Sequence, residues 1–192
     1  MASAFAVAAV LTAAVFAVFG AGERGADIAL QVTARWSFLL FWPAYAGGAM
    51  AMLFGPAFQP LRRHARTFGL AFAAAQLVHI ALVGWLCWIG TPPLTGTFLF
   101  FSGPLVCVYI LALSSIGRLQ NMLGATGWRI VRLVGMNYIA YAFVVDFWKY
   151  PSAGRLEFIT GYIPFAAMGL AGSLLYWIGL LMPRRKSGQA LP

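Results

Sequence analysis

The chain has 192 residues, of which 62% are hydrophobic and 9% charged, and its mean hydropathy is +0.84. Soluble domains carry about 25% charged residues, so a water-soluble fold of this size could not hide so much apolar surface. The formal net charge is +9, but the basic residues form short clusters between apolar runs. That pattern is typical of a membrane protein and argues against nucleic-acid binding.

Six apolar segments follow one another along the chain. Each is close to the length of about 20 residues that an α-helix needs to cross a bilayer, and glycine and proline separate them. The predicted segments are residues 3–21, 28–54, 67–89, 95–116, 130–147 and 158–182. The sequence therefore predicts an all-α fold, a polytopic integral membrane bundle of six transmembrane helices. Residues 1–183 form its single domain, and residues 184–192 form a short basic cytoplasmic tail.

The first segment is rich in Ala and Val, as a signal peptide is, but no Lys or Arg precedes it. A signal peptide carries positive charge ahead of its apolar stretch. We therefore interpret this segment as a retained first helix, and a cleaved signal peptide is the alternative. The two cysteines, Cys87 and Cys107, lie inside later apolar runs and are interpreted as small packing residues.

Basic residues are divided unequally between the two sides of the predicted bundle. Nine of the 13 fall on one side: Arg62, Arg63, Arg66, Arg118, Arg129, Arg132, Arg184, Arg185 and Lys186. The other side carries four basic residues and all four acids: Arg24, Arg35, Lys149, Arg155, Glu23, Asp27, Asp146 and Glu157. The positive-inside rule then places both termini in the cytoplasm. The Ala, Gly and Leu content suggests a bacterial protein of the cytoplasmic (inner) membrane.

Aromatic and small residues add two structural expectations. Six Trp and Tyr residues near predicted helix ends are expected to be interfacial anchors: Trp36, Trp88, Trp128, Trp148, Tyr150 and Tyr162. Small residues at positions 46–49, and at Gly169 and Gly172, are expected to let neighbouring helices approach closely.

His79 lies inside the third segment and is the first candidate for chemistry. Counted from Arg66, 13 residues place it about 20 Å into the bilayer. An imidazole at that depth needs a partner. Haem iron is one such partner, and a hydrogen bond to a neighbouring helix is the alternative. His64 lies in the basic stretch and is interpreted as a solvated loop residue. It could share a broad face with His79 only if the helix reaches back to it.

Arg35 and Asp146 are predicted to lie at similar depth on the acid-rich side, facing the interior of the bundle. Arg35 is about 10 Å along the second segment, and Asp146 is close to the end of the fifth. An ion pair between them, or snorkelling to the headgroups, would lower the cost of each charge. The alternative is that Arg35 clamps a bound anion such as a haem propionate.

Several catalytic signatures do not occur in the sequence. It contains no HExxH, GxSxG or Walker-type loop and no GxGxxG dinucleotide fingerprint. With two histidines, a cage of several His ligands around a metal ion is not expected. No enzymatic activity is predicted from these motifs.

Three stretches in a fixed order carry a family resemblance. They are Thr33-Ala34-Arg35-Trp36; then Arg62-Arg63, Phe68-Gly69-Leu70 and His79; then Ser114-Ser115, Leu123-Gly124 and residues 128–133. Together they cover about residues 30–147. They resemble the ferric-reductase-like transmembrane domain family, in particular the haem-binding membrane subunits of periplasmic methionine sulfoxide reductase systems.

The resemblance implies a haem-b protein that passes electrons outward across the membrane. His79 would be the axial ligand, Arg35 would hold a propionate, and His64 lies beside the ligand position of two-haem relatives, which falls at Ala65. A quinone or flavoprotein would supply the electrons, and a redox partner on the outer side would accept them. The lipid bilayer is the remaining partner, and no nucleic acid is expected.

The sequence departs from the family at the fifth helix. Family members present two histidines there, 13 residues apart, and the matching positions are Val131 and Val144. A bis-His haem therefore lacks its second ligand, and Tyr141, Met136 or His64 could replace it only by changing depth or geometry. Two hypotheses stay open. The first is a haem-b electron-transfer subunit, and the second is a haem-free relative acting as a scaffold, partner subunit or small-molecule carrier.

Overall fold

The computed structural model describes residues 1–116, 119–149 and 156–182, with side-chain detail outside 116–123 and 149–160. The helices are α1 (Ala2–Phe19), α2 (Glu23–Leu53), α3 (Gln59–Trp88), α4 (Thr95–Ile116), α5 (Leu119–Lys149) and α6 (Leu156–Leu181), with a 3₁₀ turn at Pro56–Phe58. All six are long and apolar enough to cross a bilayer, which confirms the six predicted segments. Arg118, Tyr150, Arg155 and the predicted tail lie outside the described residues, as do the side chains of Lys149 and Glu157.

Two helices are longer than their apolar segments. α3 begins at Gln59, with Pro60 in its first turn, and therefore includes the basic stretch that was expected to be a loop. Arg is a good helix former, so the loss of apolar character does not end the helix. α5 begins at Leu119 but bends at Gly124, whose φ of 65° is a conformation that glycine adopts readily.

The helices form a ring that is weakest between α3 and α4. α2 packs against α3 and α6, α6 packs against α5, and α5 packs against α4, whereas α3 has few contacts with α4. α1 lies outside the ring, against α2 and α3. We call the end with Glu23, Asp27 and Asp146 the acidic end, and the end with Arg62, Arg66 and Arg132 the basic end.

Aromatic rings fill the space between α2 and α5. Phe38 of α2 packs edge-on against Phe143 and Phe147 of α5, with ring centroids 5.3 and 5.2 Å apart. Tyr162 of α6 joins the same cluster and is only 2% exposed. The prediction that Tyr162 is an interfacial anchor was therefore wrong, because its ring faces the core.

Small residues let neighbouring helices approach closely, as predicted, and the contact between α6 and α2 is one case. The indole Nε1 of Trp42 donates a hydrogen bond to the carbonyl of Met168 at 2.8 Å. A Cβ added at Gly172 would lie 2.7 Å from that same nitrogen, and one at Gly169 would lie 2.9 Å from Val144. Gly47 similarly accommodates Leu61, whereas Gly48 has no such neighbour. The packing role is confirmed for Gly47, Gly169 and Gly172.

We expect Gly172→Ala to lower stability by about 1–3 kcal/mol, because the new methyl group collides with an indole that its hydrogen bond holds in place. Gly84→Ala is the matched control, because nothing lies within 4 Å of a Cβ at that position. It should be neutral or stabilising by up to about 1 kcal/mol. Thermal unfolding in phospholipid nanodiscs measures both, and equal stability of the two variants would contradict the close α2–α6 contact.

Candidate functional site

A cavity of about 490 Å³ lies in the acidic half of the bundle, on the side where α3 and α4 separate. At the basic end, Arg66 of α3 donates a hydrogen bond to the carbonyl of Ser115 near the end of α4. Midway, the Tyr109 hydroxyl of α4 donates to the carbonyl of Ala73 at 3.3 Å. The two helices are thus connected at the basic end and in the middle, and the cavity occupies the seam beyond. Its volume is within the range of about 300–1,000 Å³ that is typical of small-molecule sites.

His79 lines this cavity and is fixed by Thr33 of α2. The Thr33 side chain is completely buried, and its Oγ1 lies 3.0 Å from His79 Nδ1. The same hydroxyl lies 2.8 Å from the carbonyl oxygen of Ala29, to which it donates its proton. We assign the hydroxyl proton to this carbonyl, an assignment in which the Thr33 oxygen accepts a hydrogen bond from Nδ1–H of His79. For one of its two ring nitrogens, His79 therefore has the partner that the sequence offered as the alternative to haem iron, a hydrogen bond to a neighbouring helix.

The second ring nitrogen of His79 has a different role. In a neutral imidazole with its proton on Nδ1, Nε2 carries a lone pair. Nε2 has no hydrogen-bond partner among the described residues, and His79 is one of the residues that line the cavity. Position 79 is also nine residues from the end of α3 at Trp88, or about 14 Å along the helix. The site therefore offers one oriented acceptor deep in the bundle.

The wall around His79 is mainly apolar, and its charged groups lie at the mouth. Phe72, Phe101, Leu105, Val108 and Ile139 line the inner part. Glu23, Asp27 and Asp146 line the acidic end, and no described Lys or Arg lines the cavity. Gln76, one turn from His79, also lines it, and its Oε1 is buried with no hydrogen-bond partner in the described ranges. The arrangement suits an amphipathic molecule rather than an ion alone.

His64 is not part of this site. α3 does reach back to it, but the imidazole is exposed at the basic end, and its Nδ1 lies 2.9 Å from the carbonyl oxygen of Pro60. The 15 residues between the two histidines span about 22 Å of helix. The structure therefore separates His64 from His79.

Arg35 faces the interior of the bundle, as predicted, but through aromatic contacts. Its guanidinium carbon lies 4.4 Å from the ring centroid of Tyr162 and 6.0 Å from that of Phe165. Its Nε is buried without a hydrogen-bond partner in the described ranges. Asp146 lines the cavity. Both residues face the interior of the bundle, and the described contacts of the Arg35 guanidinium are with the rings of Tyr162 and Phe165.

The positions that would complete a six-coordinate haem do not face His79. Val131 lines a separate apolar groove beside Cys107 of α4, and Val144 points to Gly169 of α6. Of the proposed replacements, Tyr141 is 57% exposed and Met136 packs against the aromatic core. Arg35 does not line the cavity, and the mouth carries carboxylates that would repel propionates. The residues present therefore fit one axial ligand of a haem but neither the second ligand nor the propionate clamp.

Neither Thr33 nor the cavity itself was identified as functional from the sequence. Thr33 belongs to a row of small residues at helical spacing, with Ala26, Ala29 and Ser37, and this row could have indicated a packing face of α2. The distance from Thr33 to His79 depends on how α2 and α3 are aligned, which periodicity does not specify. In the described part of the chain, no group of three or more His, Cys, Asp or Glu could hold a metal ion.

In comparisons with protein-family models, curated proteins and solved structures, nothing matches this chain. The ferric-reductase-like resemblance therefore stays a prediction from the three sequence stretches. The site has to be interpreted from its own geometry.

We expect the His79 imidazole to carry its proton on Nδ1. In the His64→Gln variant, His79 is the only histidine, so ¹⁵N NMR of the labelled side chain reports its tautomer directly. Thr33→Val removes the acceptor and should destabilise the protein by about 1–3 kcal/mol, whereas Thr33→Ser keeps the hydroxyl and should cost less. A proton found on Nε2, together with equal stability of the two Thr33 variants, would contradict the assigned hydrogen bond.

Proposed function

We propose that this protein is a multi-pass protein of the bacterial cytoplasmic membrane that binds a small amphipathic molecule from the outer side. In this proposal both termini are cytoplasmic, and the acidic end faces outward. The ligand would occupy the cavity between α3 and α4, with His79 as its deep polar contact. The protein would act as a haem-free carrier or binding subunit, which is the second of the two hypotheses from the sequence.

One observation carries this proposal: the cavity presents an oriented imidazole in a wall that is otherwise mainly apolar. Such a combination, a large apolar pocket with a few convergent polar groups, is the usual form of a ligand site. A histidine that served only to connect α2 and α3 would not need a cavity beside its second nitrogen. The hydrogen bond to Thr33 fixes the ring, so a ligand donor would meet an acceptor whose direction is already set.

The alternative proposal, a haem-b electron-transfer subunit with a quinone or flavoprotein donor, is less well supported. His79 alone would provide an axial ligand for it. The α5 residues that line the cavity include Ile139, Ala142 and Phe143, none of which can coordinate iron. The carboxylates at the mouth also oppose the negative charge of propionates, so the charge distribution favours a neutral or cationic ligand.

Membrane topology is the first test of the proposed orientation. Reporter fusions after Phe58 and after Met122 should give a cytoplasmic signal, and fusions after Gly25 and after Ser152 should give an outer signal. The reason is the clustering of Arg62, Arg63 and Arg66 at one end of the bundle, since the rule counts Lys and Arg in short connections. An outer signal after Phe58 would place the cavity mouth in the cytoplasm.

Ligand binding is the second test, with 4-phenylbutanol as a neutral amphipathic probe. We expect saturable binding to the protein in phosphatidylcholine nanodiscs, measured by saturation-transfer NMR. Ala142 is buried and lines the cavity, so Ala142→Phe should fill the space and weaken binding by about tenfold or more. Ala167→Phe on the exposed face of α6 is the matched control and should bind as the original chain does.

The absorption spectrum of the same sample distinguishes the two proposals. We expect no Soret band from protein produced in cells supplied with a haem precursor. A band that persists in His64→Ala but disappears in His79→Ala would overturn the haem-free proposal, because His64 is exposed and remote from the cavity. Equal probe binding by the Ala142→Phe and Ala167→Phe variants would separately reject the cavity as the site.

A further inference from the structure

We propose that the ligand of the cavity is an elongated organic cation. It would have an ammonium group at one end, a hydrogen-bond donor at the other, and an apolar or aromatic body that joins them. The inference rests on the proposed function and adds the chemical class of the ligand. It follows from the positions of the polar groups along the cavity and from the sign of their charges.

The mouth of the cavity is negatively charged. Glu23 and Asp27 are four residues apart on α2, so they share one face of the helix, and both line the cavity. Asp146 lines it from the last turn of α5. The α2 dipole explains an acid at Glu23 but does not favour one at the carboxyl end of α5. The exposed carboxylates of Glu23 and Asp27 therefore attract a cation to this end of the cavity.

The nearest described basic side chains contact aromatic rings rather than the cavity. The guanidinium carbon of Arg24 lies 5.9 Å from the ring centroid of Phe19 on α1. That of Arg35 lies 4.4 Å from the ring centroid of Tyr162, and Tyr162 lines the cavity whereas Arg35 does not. Within the described residues, the charge presented to a ligand at the mouth is therefore that of carboxylates.

The deep polar contact is an acceptor, and it lies at a defined distance from the mouth. Asp27 precedes Thr33 by six residues, or about 9 Å along α2, and Thr33 holds His79 at its own level. Because Thr33 uses Nδ1–H, the accessible nitrogen Nε2 can only accept a hydrogen bond. A hydroxyl or amine on the ligand would satisfy it.

The wall between the two levels is mainly apolar, with Gln31 of α2 as a polar member. Leu30 of α2 and Ile80, Val83 and Leu86 of α3 line the cavity between Asp27 and His79. A ligand that spans this distance therefore needs an apolar body between its cationic head and its donor. An aromatic body would also match the rings of Phe98 and Phe101, which line the α4 side.

Tyramine has this design, with an ammonium and a phenol at opposite ends of one aromatic body. Three compounds provide the comparison: tyramine, phenethylamine, which lacks the hydroxyl, and 3-(4-hydroxyphenyl)propionate, which replaces the ammonium by a carboxylate. Dissociation constants are measured by saturation-transfer NMR with the full chain in phosphatidylcholine nanodiscs. A zwitterionic lipid keeps the cations from collecting on the bilayer itself.

We expect tyramine to bind about tenfold more tightly than the carboxylate, because one head group is attracted at the mouth and the other repelled. Glu23→Gln combined with Asp27→Asn should reduce this preference to about threefold or less, since both exposed charges at the mouth are removed. Both side chains are exposed, so the double variant should fold normally. An equal or reversed preference in the original chain would overturn the cationic class.

The contact between the phenol hydroxyl of tyramine and His79 is tested by a double-mutant cycle that combines removal of this hydroxyl with the His79→Leu substitution. Removing the hydroxyl, from tyramine to phenethylamine, should weaken binding about fivefold in the original chain and less than about twofold in the variant. Equal losses in the two proteins would overturn the role of Nε2. If 4-phenylbutanol binds and tyramine does not, the cationic class fails while the proposed function stands. If no compound in either set binds, the proposed function fails with it.

Discussion

Polar side chains inside an apolar bundle must find partners within the bundle, because a lipid environment offers neither donors nor acceptors. In this protein most such partnerships begin on α2. Its side chains make hydrogen bonds to four other helices: Trp36 to Ala4 of α1, Thr33 to His79 of α3, Tyr45 to Asn137 of α5 and Trp42 to Met168 of α6. Each bond sets how far along its axis a neighbouring helix can lie. α2 therefore fixes the mutual alignment of the bundle, and the position of His79 is a consequence of that alignment.

α4 is the helix that these α2 hydrogen bonds do not reach. It is held by its packing against α5 and by two hydrogen bonds with α3, one donated by Arg66 of α3 and one by Tyr109 of α4, both away from the acidic end. The seam between α3 and α4 begins where these contacts end. His79 lies beside the seam, and its hydrogen bond to Thr33 holds this part of α3 against α2. The cavity and its one oriented acceptor thus have the same origin in the unequal distribution of interhelical hydrogen bonds.

The sequence was sufficient for the six helices, because their apolar runs and separating glycines and prolines are local features. It also identified His79, since an imidazole in an apolar run needs a partner wherever the helices lie. The partner itself could not be predicted, because Thr33 meets His79 only through the axial alignment of two helices. The same limit explains the wrong prediction for Tyr162. Its position near a predicted helix end indicated the membrane interface, but its ring faces Arg35 and the core. This limit also explains why the contact of Arg35 with the Tyr162 ring was not predicted, since depth along a helix does not reveal which side chains of other helices lie beside a charge.

The filling of the bundle restricts what chemistry its scaffold can support. A flat cofactor held between two facing helices needs an open slot between them, with a ligand from each side. Between α2 and α5 that space holds Phe38, Phe143 and Phe147 in edge-on contact, so no slot remains. Opening one would require several aromatic side chains to be replaced by smaller ones, each at a cost of about 3–5 kcal/mol for a buried Phe. The space that remains is the α3–α4 seam, where His79 lies in a mainly apolar wall and the carboxylates of Glu23 and Asp27 lie at the mouth. A site with a few polar groups in an apolar wall selects molecules that are themselves amphipathic, and the ligand rather than a resident cofactor would then supply the missing donor.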